Sequence, residues 1–133
     1  MSFLMPYFAA IIPFILWPLE LIFPYPAVLE EAAKAASLFF LYRKVPIYRP
    51  LPVGLVFGIL FAITESTLYL FNIYMVGDIH TYIIRLLLTI PLHTLTSIII
   101  SHTIFKKPWL KIVGILIAIV GHYIFNVAVA SLS

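Results

Sequence analysis

The sequence predicts an all-α, polytopic membrane bundle of about five transmembrane helices, and three observations predict it. Of the 133 residues, 64% are hydrophobic and only 10% are charged, whereas soluble chains carry about 25% charged residues to cover their surface. The apolar residues fall into five long runs, and a run of about 20 apolar residues is what a helix needs to cross a bilayer. The breaks between runs hold proline, glycine and most of the basic residues.

The first run covers residues 2–23 and contains Pro6, Pro13 and Pro18. It has no basic start, so it is expected to be a kinked first span and not a signal peptide. Pro24 and Pro26 close it and open the second, residues 26–42, because proline suits a helix start and not its interior. A loop with Arg43, Lys44, Pro46, Arg49 and Pro50 follows. The third run covers residues 51–75, and Gly77 and Asp78 are expected to form the turn after it. The fourth covers residues 79–105, with an expected kink at Pro91. Lys106, Lys107 and Lys111 flank the last turn, and Pro108 opens the fifth run, residues 108–131. Residues 1–133 are thus expected to be one multi-pass domain of the cell membrane, with no separate soluble domain.

Charge and cysteine usage narrow the function. The chain has no cysteine, which excludes disulfides and thiolate metal sites. Its net charge of +3 does not point to nucleic acid, because six of the eight basic residues lie in two short loops. Short basic loops stay in the cytoplasm. Five spans with the N-terminus inside put both loops there, and put the Asp78 turn and the C-terminus outside.

A short list of polar residues interrupts the apolar runs. The second carries Glu30, Glu31 and Lys34, the third Glu65, the fourth Arg85, His93 and His102, and the fifth His122 and Asn126. A charge at the bilayer centre costs at least about 2.5–3.5 kcal/mol, so such residues pair, face a cavity or act chemically. Helical spacing sorts them onto faces. Arg85, Thr89, His93, Ser97 and Ser101 form one stripe. Gly114, Ala118, His122 and Asn126 form another, and Gly54, Gly58 and Ala62 form a small-residue stripe leading to Glu65 and Ser66. At 1.5 Å rise per residue, Glu65 and His122 lie roughly 15 Å from the outer ends of their spans. Glu30 and Glu31 lie nearer that surface, and His93 is slightly deeper. One layer between the outer surface and the midplane collects them all.

That layer holds the materials for activating water. In one route, Glu65, His93 and His122 bind a zinc-type ion and leave a position for water, with Glu30 or Glu31 as general base. In the other, a carboxylate and a histidine deprotonate water without metal, and a histidine or Asn126 donates to the oxyanion. Lys34, one turn from Glu30, would hold one acid ionised. The zinc-protease helix motif HExxH is absent.

Four motifs in order resemble those of the PrsW-type intramembrane proteases. Glu30-Glu31-x-x-Lys34 is similar to their EExxK signature. Phe61-x-x-x-Glu65, followed by Tyr69, resembles FxxxE, although Ser66 stands where the family often has Asn. His93 lies on a polar helix as their third motif does, and His122-x-x-x-Asn126 resembles HxxxN. The match covers about residues 30–126. It implies a site of Glu30, Glu31, Glu65, His93, His122 and Asn126, with a link to the CAAX prenyl protease and bacteriocin-processing group. In that group the double glutamate is regarded as catalytic, and the last His and Asn help to bind the oxyanion. It also implies a membrane-anchored protein or peptide substrate cut near the outer side.

Structural roles compete with these assignments. Glu30 and Glu31 would suit an interface near a helix start. Glu65, His93, His122 and Asn126 would serve as hydrogen-bonding glue between helices. Arg85 reads as a snorkelling or ion-pairing residue, and Glu20, His80 and His102 as interfacial. The rival function is a small proton or cation transporter using the same Glu/His cluster, although no inverted repeat is present.

Overall fold

In the computed structural model the described residues are 5–44, 49–76 and 79–131, and their regular structure is entirely α-helical. The helices are α1 (Met5–Glu20), α2 (Pro26–Lys44), α3 (Pro50–Val76), α4 (Ile79–Thr103) and α5 (Pro108–Ala130). The five helices fall in the five expected apolar runs. The turn assigned to Gly77 and Asp78 lies outside the described residues, as does Pro46. Proline sets the starts: Pro26, Pro50 and Pro108 each open a helix, where a missing N–H costs no hydrogen bond. Pro91 sits inside a continuous α4.

Three stretches are long and apolar enough to cross a membrane: Pro50–Leu70, Tyr82–Thr103 and Pro108–Ala130. The other two helices depart from that pattern for different reasons. The described part of α1 has 16 residues and spans about 24 Å. α2 has the length, but it carries Glu30, Glu31, Lys34, Arg43 and Lys44.

The interior and exterior are arranged for lipid. Glu30, Glu31, Lys34, His93 and His122 are buried, whereas Ile112, Leu116, Val120, Ile124 and Val127 of α5 point outward. In water such an apolar face would demand a partner; in a bilayer lipid covers it. The apolar core is small, drawing Leu16 from α1, Leu38 and Leu41 from α2, Phe57 and Phe61 from α3, and Ile100 from α4.

α3 and α4 pack most extensively, α1 lies on α3 and α2, and α5 lies on α4 and α2. The small-residue stripe explains the first pair. A Cβ at Gly54 would come within 2.7 Å of Ile98 Cα, and one at Gly58 would collide with the backbone of His93 and Thr94. Glycine at these two positions lets the backbones touch, and so brings α3 against the helix that carries His93. At the basic end, Ser101 donates to the Pro50 carbonyl at 2.7 Å, which leaves Tyr42 to donate to Ser101 Oγ at 2.7 Å. This chain ties α2, α4 and α3 together.

The axial position of α2 differs from that of its neighbours. Glu30 is four residues from the start of α2 and Glu65 eleven from the end of α3, yet both approach His93 Nε2. α2 therefore begins about 10 Å further inside the bundle than α3 ends. The acidic pair that would be interfacial on a full-length span is instead fully enclosed.

Candidate active site

Lys34 is the centre of the polar interior. Its side chain is completely buried, and its ammonium has three protons to place. One goes to Glu31 Oε1 at 2.7 Å, one to Thr96 Oγ1 at 3.1 Å, and the third faces His93 Nδ1 at 2.6 Å. The Phe61 ring lies beneath, with its centroid 4.6 Å from Nζ. Every donor of a buried cation is thus used, as a charge in low dielectric requires.

Glu31 is held from two sides. The Oε1 atom that receives Lys34 also lies 2.8 Å from His122 Nδ1. A carboxylate can only accept, so His122 carries its proton on Nδ1 and presents a bare Nε2 to the centre of the site. A carboxylate behind an imidazole fixes the tautomer in this way around metal ligands. His93 has the opposite arrangement. Its Nδ1 accepts from the ammonium, so Nε2 carries the proton and meets Glu65 Oε2.

Glu30 lies between the two imidazoles. Its Oε2 is 3.9 Å from His93 Nε2 and 3.9 Å from His122 Nε2, and the rings stand at 88° to each other. That oxygen is buried without a hydrogen-bond partner, as is Glu31 Oε2, whereas Glu65 Oε2 is taken by His93 Nε2. Three carboxylates therefore surround one ammonium, and their free oxygens call for protons, water or a cation.

These donors fit a metal ion. One donor atom from each of Glu30, His93 and His122 lies within 4.8 Å of the others, and two imidazoles with a carboxylate are a ligand set that zinc accepts. The set named from sequence was Glu65, His93 and His122; here Glu30 joins the two histidines, and Glu65 rests against His93 alone. Helical spacing placed both glutamates at the site, but only the inward offset of α2 put Glu30 between the rings. To hold an ion, His93 would present an Nε2 relieved of its proton.

The site opens to one side. Pro13, Trp17 and Glu20 of α1, Glu30 of α2, and Phe61, Glu65, Leu68 and Tyr69 of α3 line a narrow cleft of about 10 Å³. Its walls are mainly apolar and aromatic, and Glu20, Glu30 and Glu65 bring three carboxylates to it. Arg85 lies behind it, with its guanidinium 3.7 Å from the Tyr69 ring centroid. It packs as a cation on an aromatic face, and among the described residues it forms no ion pair with a carboxylate.

Five of the six residues picked from sequence, Glu30, Glu31, Glu65, His93 and His122, thus meet in one cluster. Asn126 lies one turn beyond His122, half-buried, with no side-chain hydrogen bond among the described residues. Thr96 lies off the every-fourth-residue polar stripe of α4, three residues from His93, so the stripe does not point to it. The α1 wall of the cleft is not legible in the sequence either: Glu20 reads as interfacial, and nothing in the spacing of Trp17 and Glu20 relates them to α3.

Neither a curated protein nor a solved structure matches the chain. The model of the PrsW family intramembrane metalloproteases matches residues 17–133, a stretch that begins at the α1 wall of the cleft and includes every residue of the cluster. The chain therefore belongs to the PrsW family of intramembrane proteases.

Proposed function

We propose that the protein hydrolyses peptide bonds of membrane-anchored proteins or peptides near the outer side of the cell membrane, at a site built from Glu30, Glu31, Glu65, His93, His122 and Asn126. One observation carries this reading. The unpartnered Oε2 of Glu30 faces two imidazole Nε2 atoms at the inner end of an apolar-walled cleft. The outer-side assignment rests on the charge of the loops, since the basic connections lie at the end opposite the cluster.

Glu30, His93 and His122 are the residues that would hold a zinc-type ion, which supplies a polarised and more acidic water when bound. The chain's own groups then divide the work. The cleft takes an unwound stretch of substrate against Trp17, Leu68 and Tyr69 and keeps bulk water out. Glu65 lines the cleft and accepts a proton on Oε1, the oxygen not engaged by His93, as the water oxygen bonds to the carbonyl carbon. The Asn126 amide donates to the resulting oxyanion. Glu65 returns its proton to the departing amine nitrogen as the C–N bond breaks. Glu31 stays ionised against Lys34 and holds His122 in the required tautomer. The roles of the glutamates thus differ from those first assigned: Glu65 is the base, Glu30 a ligand, and Glu31 a positioning residue that does not line the cleft.

The test is cleavage of a membrane-anchored peptide by the purified protein in proteoliposomes. Glu65→Gln should lower kcat about 10²–10⁴-fold, the range for a lost general base. Asn126→Ala should lower it about 10²-fold with little change in KM. Wild-type turnover in folded Glu65→Gln would overturn the reading.

A further inference from the structure

The end of the bundle opposite the cluster holds a second concentration of charge that the chemistry above does not use. Arg43, Lys44, Arg49, Lys106, Lys107 and Lys111 belong to it, and among the described residues no acid does. The nearest acid to Arg43 along α2 is Glu31, about 18 Å away along the helix. Among the described residues, neither Arg43 nor Lys111 has an ion-pair partner.

Two of these cations nevertheless converge. The Arg43 guanidinium lies 5.6 Å from the Phe39 ring centroid, and Lys111 Nζ lies 5.7 Å from the same centroid. Arg43 comes from α2 and Lys111 from α5. Phe39 also stacks on Phe105 at an interplanar angle of 12°, and Phe105 meets Tyr42 at 4.4 Å. The aromatic group thus joins α2 to the turn between α4 and α5. α5 begins there without a side-chain cap, so its N-terminal amides and dipole add positive potential. Like charges drawn to one ring repel each other, and an anion between them would relieve that repulsion.

We propose that Arg43 and Lys111, with Lys106 and Lys107 at the rim, bind the phosphate of an anionic phospholipid headgroup. The surroundings favour a lipid over free phosphate. Phe39, Phe105 and Trp109 are exposed beside the cations and give the glycerol and upper acyl chain an apolar surface at the depth where headgroup and hydrocarbon meet. The bound lipid would bridge the helix of Glu31 to the helix of His122.

The whole protein in detergent micelles is titrated with phosphatidylglycerol, with phosphatidylcholine and with inorganic phosphate. Bound lipid is counted by native mass spectrometry and Tm is followed. Phosphatidylglycerol should bind in preference to phosphatidylcholine and raise Tm, and inorganic phosphate at the same concentration should not. Each cation removed should weaken phosphatidylglycerol binding about fivefold, from about 1 kcal/mol per basic residue. R43Q/K111Q should therefore lose about 25-fold, with phosphatidylcholine binding unchanged. If the double variant does not fold, R43Q and K111Q singly carry the test. Equal affinity for the two lipids, wild-type phosphatidylglycerol affinity in the folded variants, or an equal effect of inorganic phosphate would overturn the proposal.

Discussion

The two halves of the bundle solve the problem of charge in opposite ways. In the half that holds the cluster, charges from different helices face inward and depend on one another. Lys34 serves Glu31 and Thr96, and Glu31 serves His122. In the basic half, Arg43 and Lys111 rest against an aromatic ring near the surface, and the buried polar link is an uncharged one, Tyr42 to Ser101 to Pro50. The difference teaches where a substitution matters. A buried charge that loses its partner keeps its desolvation cost, whereas a hydroxyl or an exposed cation loses only a modest interaction.

The comparison breaks most readily at Lys34. Replacing it with Ala leaves Glu31 without a counter-charge and should destabilise the fold by about 3–5 kcal/mol. The loss should appear as a lowered midpoint in denaturant titrations of the micellar protein. Wild-type stability would mean that the two halves do not differ as described.

Metal affinity gives the next largest contrast. Zinc titration by calorimetry should show more than about 100-fold weaker binding in His122→Ala, because a ligand is lost and not only a supporting residue. His102→Ala should bind as the wild type does, since that histidine is exposed and its Nδ1 faces the Ile98 carbonyl at 3.0 Å. A chelator should abolish cleavage, and zinc should restore it.

The smallest effect is expected in the basic half. Tyr42→Phe removes one hydroxyl from the chain linking α2, α4 and α3 and should cost about 1 kcal/mol. Thermal unfolding measures this, and the cleavage rate at fixed temperature should not change. A large loss of activity would show that the two halves are mechanically coupled.

Much of the molecule is legible in the sequence. The helices are, because a bilayer demands long apolar runs and proline marks where they begin. The members of the cluster are too, because a charge inside an apolar run is conspicuous, and the spacing of His122 from Gly114 and Ala118 puts all three on one buried face. Their partners are not. Glu30 and Glu65 are equally plausible ligands in a list of residues, yet only Glu30 lies between the two imidazoles. Lys34 reads as a neighbour of the acids one turn away, whereas two of its three contacts come from α4.

The sequence by itself thus determined the solvent, the helices, the inward faces and the residue types available for chemistry. These follow from one-dimensional quantities: run length, helical period and the cost of charge in hydrocarbon. The tertiary structure decided the depth of α2, the wall that α1 gives the cleft, and which glutamate faces which histidine. Those depend on how far each helix slides and turns against its neighbours, which side-chain packing sets. At Gly54 and Gly58 the missing Cβ atoms let α3 close on α4 and bring Glu65 against His93.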